Sequence, residues 1–101
     1  MGIFPTRPAP DWYTQTEILW DEGKFEEAIH IARRAYEYFF HTGDGRETAR
    51  ARYRLGHMLA QLGIRNRPEA IRVLTLVSIA NPYDEHTRAV LDECLRKNGQ
   101  S

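Results

Sequence analysis

Apolar residues recur along this chain at steps of three and four, the spacing that places them on one face of an α-helix. Runs that alternate apolar and polar residues, which are typical of half-buried β-strands, are absent. The pattern therefore predicts an all-α protein. Its clearest helix extends from about Lys24 to His41 and has one broad apolar face, composed of Phe25, Ala28, Ile29, Ala32, Ala35, Tyr36, Phe39 and Phe40.

Glycine and proline divide the helical pattern into five predicted helices. The helices are expected at about residues 11–22, 24–41, 46–62, 68–80 and 84–97. Gly23 and Gly63 follow the first and third helices, because glycine readily adopts the left-handed conformation that ends many helices. Asn81-Pro82 ends the fourth helix and Asn98-Gly99 the fifth, while the proline-rich residues 1–10 are expected to form an extended arm.

The fourth predicted helix has an unusually wide apolar surface. Between Ala70 and Ala80 the only polar residues are Arg72, Thr75 and Ser78, which share an arc of about 120°. Such a helix either packs against neighbours on both sides or leaves part of its apolar surface for a partner. The sequence leaves both interpretations open.

The composition limits the classes of protein that fit. At 101 residues, 42% of them hydrophobic, the chain has the material for one domain with a modest core. Its 14 basic and 14 acidic residues cancel, which predicts no general affinity for nucleic acid or membranes. The apolar runs are too short for a membrane span, and the lone Cys94 is typical of a reducing compartment. We therefore expect a cytoplasmic protein with a single helical domain over residues 11–101.

The predicted helices come in pairs whose sequences match one another. Residues 12–23 align with residues 52–63 and 88–99, each with a leucine at the eighth position and a glycine at the twelfth. The second helices also align, because Ala28-x3-Ala32-x2-Ala35 matches Ala70-x3-Leu74-x2-Val77. Small residues where two helices cross let their backbones approach closely. The chain is therefore expected to be an array of antiparallel helix–turn–helix units.

This pattern resembles the tetratricopeptide repeat, a helix–turn–helix unit of about 34 residues. The stretches Gly-Lys-Phe-Glu-Glu-Ala-Ile (23–29) and Leu-Gly-His-Met-Leu (55–59) carry most of the likeness, although the interval from Gly23 to Gly63 is 40 residues. The resemblance covers about residues 9–99. It implies an α-solenoid with repeats at about 11–42 and 46–82 and a capping helix at about 84–98.

The resemblance also implies a function, since the first helices of such repeats line a concave groove that binds a peptide or helix of a partner protein. In this chain the groove residues would be Tyr13, Glu17, Trp20, Arg50, Tyr53, Arg54, His57, Gln61, His86, Glu93, Arg96 and Lys97. Helical spacing independently places Arg46, Arg50 and Arg54 on one face. Arginine flanked by tyrosine favours a partner with acidic or aromatic groups.

The sequence offers no recognisable catalytic or metal-binding arrangement. Its four histidines are scattered, and none has a second ligand at the usual metal-binding spacing. Glu26-Glu27 and Asp84-Glu85 are expected at helix starts, where acidic side chains stabilise the helix dipole. We therefore expect a non-enzymatic interaction module, an adaptor or assembly factor, that needs no metal or other cofactor.

Two alternative functions are kept. In the first alternative, the chain is a structural or self-assembling subunit that docks through apolar helix surfaces. This is kept because repeat arrays expose apolar ends unless these are capped. Ranked last is nucleic-acid binding through the seven arginines from Arg46 to Arg72, since no recognised binding module accompanies them. The start Met1-Gly2 with Thr6 formally fits an N-myristoylation pattern, but Pro5 and the lack of a polybasic second signal argue against it.

Overall fold

The computed structural model of this chain describes residues 6–99 and is all-α. Its five α-helices are α1 (Trp12–Asp21), α2 (Phe25–Thr42), α3 (Gly45–Gln61), α4 (Arg67–Ala80) and α5 (Glu85–Gly99). Residues 6–99 contain no β-strand. Within that range, no helix is both long and apolar enough to span a lipid bilayer. The all-α class and the five helices predicted from apolar spacing are confirmed.

Glycines with positive φ angles follow three of the helices. Gly23, Gly43 and Gly63 have φ angles of 79°, 80° and 89°, which residues with a Cβ adopt only at a cost. After Gly63 the chain forms a short 3-10 helix at Ile64–Asn66, which the apolar pattern did not predict. Helix α5 extends two residues beyond the expected Lys97 and ends at Gly99, within the Asn98-Gly99 pair predicted to end it.

Packing divides the chain into two compact units, unit 1 (residues 1–51) and unit 2 (residues 52–101). The boundary falls within α3, so each unit contains part of that helix. Residues 6–9 precede α1 without regular structure and residues 10 and 11 form a turn, so the extended arm over residues 1–10 stays a prediction. The rest of the predicted arm and the start of the myristoylation pattern lie at residues 1–5, outside the described residues. A single domain over 11–101 stays a prediction.

In unit 1, helices α1 and α2 run antiparallel. Near the turn that joins them, the rings of Trp20 and Phe25 contact each other with centroids 4.6 Å apart. At the opposite end, Trp12 at the start of α1 lies 6.4 Å from Phe39 near the end of α2, measured between ring centroids. This is the helix–turn–helix arrangement expected from the sequence.

The apolar face of α2 is buried along its centre and exposed at its edges. The centre consists of small and branched side chains that are buried as predicted: Ala28, Ile29, Ala32 and Ala35. Phe25 and Phe40 belong to the same predicted face but are 39% and 61% exposed. The face is wider than the surface that covers it, so the aromatic rings at its edges pack against each other, as Phe40 does against Tyr36.

In unit 2, α3 and α4 approach each other closely at Gly56. A Cβ added to Gly56 would lie 2.9 Å from Cδ2 of Leu74 and 3.1 Å from Cγ1 of Val73, well inside van der Waals contact. Leu74 is fully buried, so it has little room to move away. The glycine of the Leu-Gly pair is therefore required by this helix crossing.

Helix α5 turns a narrow face towards the core of unit 2. Thr87, Leu91 and Cys94 are buried at steps of four and three residues, which place them on one side of the helix. Leu95, on the same helix, is 49% exposed. The buried side of α5 thus includes a polar threonine, Thr87, that apolar spacing did not indicate.

Helix α4 leaves part of its apolar surface uncovered. Val73, Leu74 and Val77 are buried, whereas Leu76 and Ile79 are exposed. Ile79 is 72% exposed. Part of the wide apolar surface predicted for this helix is therefore exposed, and its use by a partner stays a prediction.

We predict that Gly56→Ala destabilises the protein by about 1 kcal/mol, because the cost of overpacking at Leu74 exceeds the gain in helix propensity. Gly45→Ala is the matched control, since a Cβ at Gly45 meets no atom within 4 Å. That control should be neutral or slightly stabilising. Urea unfolding followed by circular dichroism measures both changes, and equal stability of the two variants would contradict the close approach.

Candidate functional site

In unit 1 the structure brings together Tyr13 and Arg50, two of the predicted groove residues. The guanidinium carbon of Arg50 lies 4.3 Å from the centroid of the Tyr13 ring and 5.7 Å from that of Trp12. Glu47, three residues earlier on α3, pairs with Arg50 at 3.7 Å. The cation–π contacts and the ion pair both restrict the long arginine side chain. Arg50 is nevertheless exposed, so its charge is available to a ligand.

A buried tryptophan supports this arginine–tyrosine pair. Trp12 is only 2% exposed and packs in a buried cluster with Ala35 and Ala51. The rings of Trp12 and Tyr13 meet edge to face, with centroids 5.6 Å apart. The hydroxyl of Thr16, also buried, donates to the backbone oxygen of Tyr13 at 2.6 Å. Tyr13 is thus held at both its ring and its backbone.

The other two predicted groove residues of α1 are Glu17 and Trp20. They follow Tyr13 at steps of four and three, so the three residues share one face of the helix. Glu17 is exposed, whereas Trp20 is half-buried and packs on Phe25. Trp20 therefore stabilises the α1–α2 turn, besides lying on the predicted binding face.

In unit 2, a hydrogen-bonded chain connects α3 to the start of α5. Nε2 of His57 lies 2.9 Å from Oγ1 of Thr87. The Thr87 hydroxyl donates to Oδ2 of Asp84 at 2.6 Å, and its backbone N–H donates to Oδ1 of the same carboxylate at 3.1 Å. Asp84 therefore caps the start of α5 and also holds the hydroxyl that His57 contacts.

These hydrogen bonds select the tautomer of His57, and its surroundings favour the neutral ring. Because the Thr87 hydroxyl gives its proton to Asp84, its oxygen must accept one from Nε2–H of His57. In the neutral ring Nδ1 is then an acceptor. Burial lowers the pKa of His57, and the positive charge of His86 lowers it further, so the neutral ring is favoured. The two hydrogen bonds from Thr87 lower the pKa of Asp84 and keep it ionised.

His57 lies between two other aromatic rings, stacked on His86 and tilted by 42° to Tyr53. The His57 and His86 rings are parallel within 4°, with centroids 5.0 Å apart, and the Tyr53 ring lies 4.3 Å from His57. Tyr53, His57 and His86, hereafter the histidine stack, were all predicted to line the groove. Tyr53 and His86 are exposed, so the edge of the stack is accessible to a ligand.

The remaining predicted groove residues of unit 2 lie near the end of α5 and on α3. Glu93 pairs with Lys97 at 3.0 Å and with Arg96 at 3.8 Å. Glu93 and Lys97 line a surface cavity of about 300 Å³ together with Gln61. These ion pairs are exposed and contribute little to stability. Arg54 is half-buried on α3.

Sequence reasoning missed Thr87 and the second role of Asp84. Asp84 was predicted only as an acidic residue at a helix start. The spacing Asp84-x2-Thr87 is a recognisable capping signal, so the bond between these two residues could have been predicted. Their connection to His57 could not, because it joins positions 30 residues apart in the sequence.

Neither a metal nor a reactive thiol is indicated by the described residues. Within residues 6–99, no group of three or more His, Cys, Asp or Glu side chains could hold a metal ion. Cys94 is buried, and burial raises the pKa of its thiol, which favours the protonated, unreactive form.

We predict that Thr87→Val destabilises the protein by about 1 kcal/mol, because it removes the hydroxyl that hydrogen-bonds the partly exposed His57 and Asp84 side chains. It should also raise the pKa of Asp84 towards its ordinary value. Thr75→Val is the matched control, since the Thr75 hydroxyl bonds only the carbonyl of Ile71 in its own helix. Urea unfolding and an NMR titration measure the two effects. Equal losses in both variants would contradict a special role for Thr87.

We predict a pH dependence of stability that arises from His57. Since folding lowers its pKa, the unfolded chain binds more protons than the folded one, and stability falls as the pH drops below about 6.5. Folding also lowers the pKa of Asp84, but protonation of this carboxylate reduces stability only near pH 4 and below. His57→Gln should remove the loss of stability between about pH 7 and pH 5, whereas the exposed His30→Gln should retain it. Identical pH profiles for the native protein and His57→Gln would contradict this assignment.

Comparisons of the chain with models of protein families, with curated proteins and with solved structures gave no match. The function proposed for it therefore rests on its own sequence pattern and contacts.

Proposed function

We propose that this protein is a non-enzymatic interaction module that binds an acidic peptide or helix of a partner protein. The observation that carries the proposal is the exposed Arg50 guanidinium, held 4.3 Å from the Tyr13 ring and supported by buried Trp12. A cation fixed in this way loses less conformational entropy on binding than a free side chain would. Its planar donors suit a carboxylate.

The pairing of Arg50 with Glu47 is compatible with capture of a carboxylate. The two groups are 3.7 Å apart and exposed to solvent in part, so their ion pair is weak. A partner carboxylate competes for guanidinium donors that Glu47 leaves available, because a guanidinium carries five N–H groups. The aromatic ring beneath the guanidinium adds apolar contact for the partner's side chains.

The histidine stack of unit 2 offers a second type of contact. The exposed faces and edges of Tyr53 and His86 suit an aromatic side chain. The neutral form of His57 adds no positive charge there, so attraction to acidic groups comes from arginine. The partner proposed here therefore combines carboxylates with aromatic residues.

A relationship to the tetratricopeptide repeats is part of this proposal. It is supported by the antiparallel α1–α2 pair, the close approach at Gly56 and the glycines of positive φ that follow α1 and α3. In proteins of that family the first helix of each pair supplies the groove, and both the Tyr13–Arg50 pair and the histidine stack involve such helices. A cytoplasmic location belongs to the same proposal and fits the free thiol of Cys94.

We predict that Arg50→Glu and Arg54→Glu each reduce peptide binding at least about tenfold while the helical content stays unchanged, because each replaces an attraction by a repulsion. The probe is a pool of random peptides displayed on phage and selected on the native protein. The peptides enriched should contain Asp or Glu beside aromatic residues.

The control for charge alone is Arg72→Glu, which reverses an exposed arginine on α4 outside the predicted groove. It should bind the selected peptides as the native protein does. Equal binding by all three variants, or enrichment of basic peptides, would contradict the proposal. Circular dichroism of each variant separates lost binding from lost folding.

Self-association is the second candidate function, and the exposed apolar surface at the end of α4 favours it. Leu76 and Ile79 of α4 are exposed, and Tyr83, in the turn that follows α4, is 91% exposed. A second copy of the chain is one partner that would cover such a surface.

If the peptide-binding proposal is right, we predict a monomer of 11.8 kDa at all concentrations in light scattering. A mass that rises with concentration in the native protein but not in Ile79→Lys would instead favour self-association through α4. Ile79 is the matched site for this change, because its exposed side chain contributes little to the core.

A further inference from the structure

Two arginines of unit 1 border one surface cavity without an acidic partner. The cavity has a volume of about 260 Å³ and lies where the N-terminal arm meets α1 and α2. Its lining consists of Arg7, Pro8, Ala9, Gln15, Ile31 and Arg34. No carboxylate belongs to this lining, and neither arginine forms an ion pair with an acidic residue of the described part of the chain. Elsewhere, by contrast, Arg50 and Arg96 each pair with a glutamate.

The arm is anchored at this cavity. The carbonyl of Ala9 accepts a hydrogen bond from the backbone N–H of Trp12 at 3.0 Å, and Trp12 is the buried residue of α1. Pro8 is half-buried, and its ring fixes the φ angle of the backbone next to Arg7. Arg7 therefore begins from a backbone held near α1.

Two arginines and one glutamine line the same cavity, a set of side chains that suits an anion with several oxygens. The two like charges repel each other unless a negative group lies between them. The side-chain amide of Gln15 adds N–H donors without further charge. A phosphate monoester carries a charge of about −1.5 to −2 and three acceptor oxygens, so it suits this donor set better than a single carboxylate does.

The cavity walls also suit the organic part of such a ligand. Ile31, Pro8 and Ala9 are apolar and lie beside the two arginines. A neighbouring cavity of about 340 Å³ shares Ile31 but is lined by Glu26, Glu27 and His30. Its two glutamates favour a basic group next to the anion.

We propose that the cavity between Arg7 and Arg34 binds a phosphate monoester, carried by a phosphorylated side chain with a basic residue beside it. The phosphate oxygens accept hydrogen bonds from Arg7, Arg34 and Gln15. The basic neighbour pairs with Glu26 or Glu27. This site lies outside the predicted groove and uses none of its residues. The phosphate proposal is therefore tested independently of the peptide-binding proposal.

The test is an NMR titration of the full chain labelled with ¹⁵N, which follows the side-chain signals of Gln15 and of the arginine Nε–H groups. The probes are inorganic phosphate and a short peptide that contains phosphoserine next to arginine. Arg34→Gln and Arg7→Gln should each weaken binding at least about tenfold, since each removes a charge-assisted contact. Arg72→Gln, which removes the same charge from an exposed site on α4, should leave the affinity within about twofold.

The two probes distinguish the source of the phosphate. Tighter binding of the phosphopeptide than of inorganic phosphate supports a phosphorylated side chain, whereas equal binding supports the same site with free phosphate as its ligand. The proposal is overturned if the Gln15 signals do not move with either probe, or if Arg72→Gln weakens binding as much as Arg34→Gln does. Circular dichroism of the variants shows that they remain folded.

Discussion

The close packing of helices through small side chains is the constraint on which the rest of this structure depends. Ala28, Ala32 and Ala35 of α2 are fully buried, and Gly56 of α3 has no room for a methyl group. With the centres of the helix contacts occupied by such small residues, many of the large side chains lie at their edges. Among the aromatic side chains of residues 6–99, Trp12 alone is fully buried, and its burial positions the Tyr13–Arg50 pair.

This separation of small buried side chains from large ones at the edges explains why the candidate binding surfaces are rich in aromatic and charged groups. Tyr13, Tyr53 and His86 lie at the margins of the core, where a ring is partly supported and partly accessible. Arg50 is fixed by a ring beneath it, and His57 by a hydrogen bond to Thr87. Both side chains are therefore oriented before any partner arrives, which reduces the entropy lost on binding.

Much of the fold could be predicted from the sequence, because helical periodicity and glycine positions are local signals. The face of α2 and the glycine at position 23 are examples. The short 3-10 helix at Ile64–Asn66 was missed, because a segment of three residues is too short to show a repeating pattern of apolar positions. The sequence did not decide whether Ile79 is covered or exposed, because a wide apolar face does not reveal how many neighbouring helices cover it.

The candidate site was predictable only in part. Resemblance to a repeat family indicated Tyr13, Arg50, Tyr53 and His57, and the structure brings these together as two pairs within their own units. Thr87 was missed, since a polar residue on the buried side of α5 breaks the apolar pattern from which the core was inferred. The arginines of the phosphate cavity lie 27 positions apart, at Arg7 and Arg34, so no local motif connects them.

The most direct test of the peptide-binding account is to map where a selected acidic peptide binds, through changes in the NMR signals of the side chains. The account predicts saturable changes at Arg50 and Tyr13 and in the rings of the histidine stack, with Leu76 and Ile79 unaffected. Changes concentrated at Leu76 and Ile79, with none at Arg50, would contradict it and would indicate that the apolar surface of α4 is the binding face.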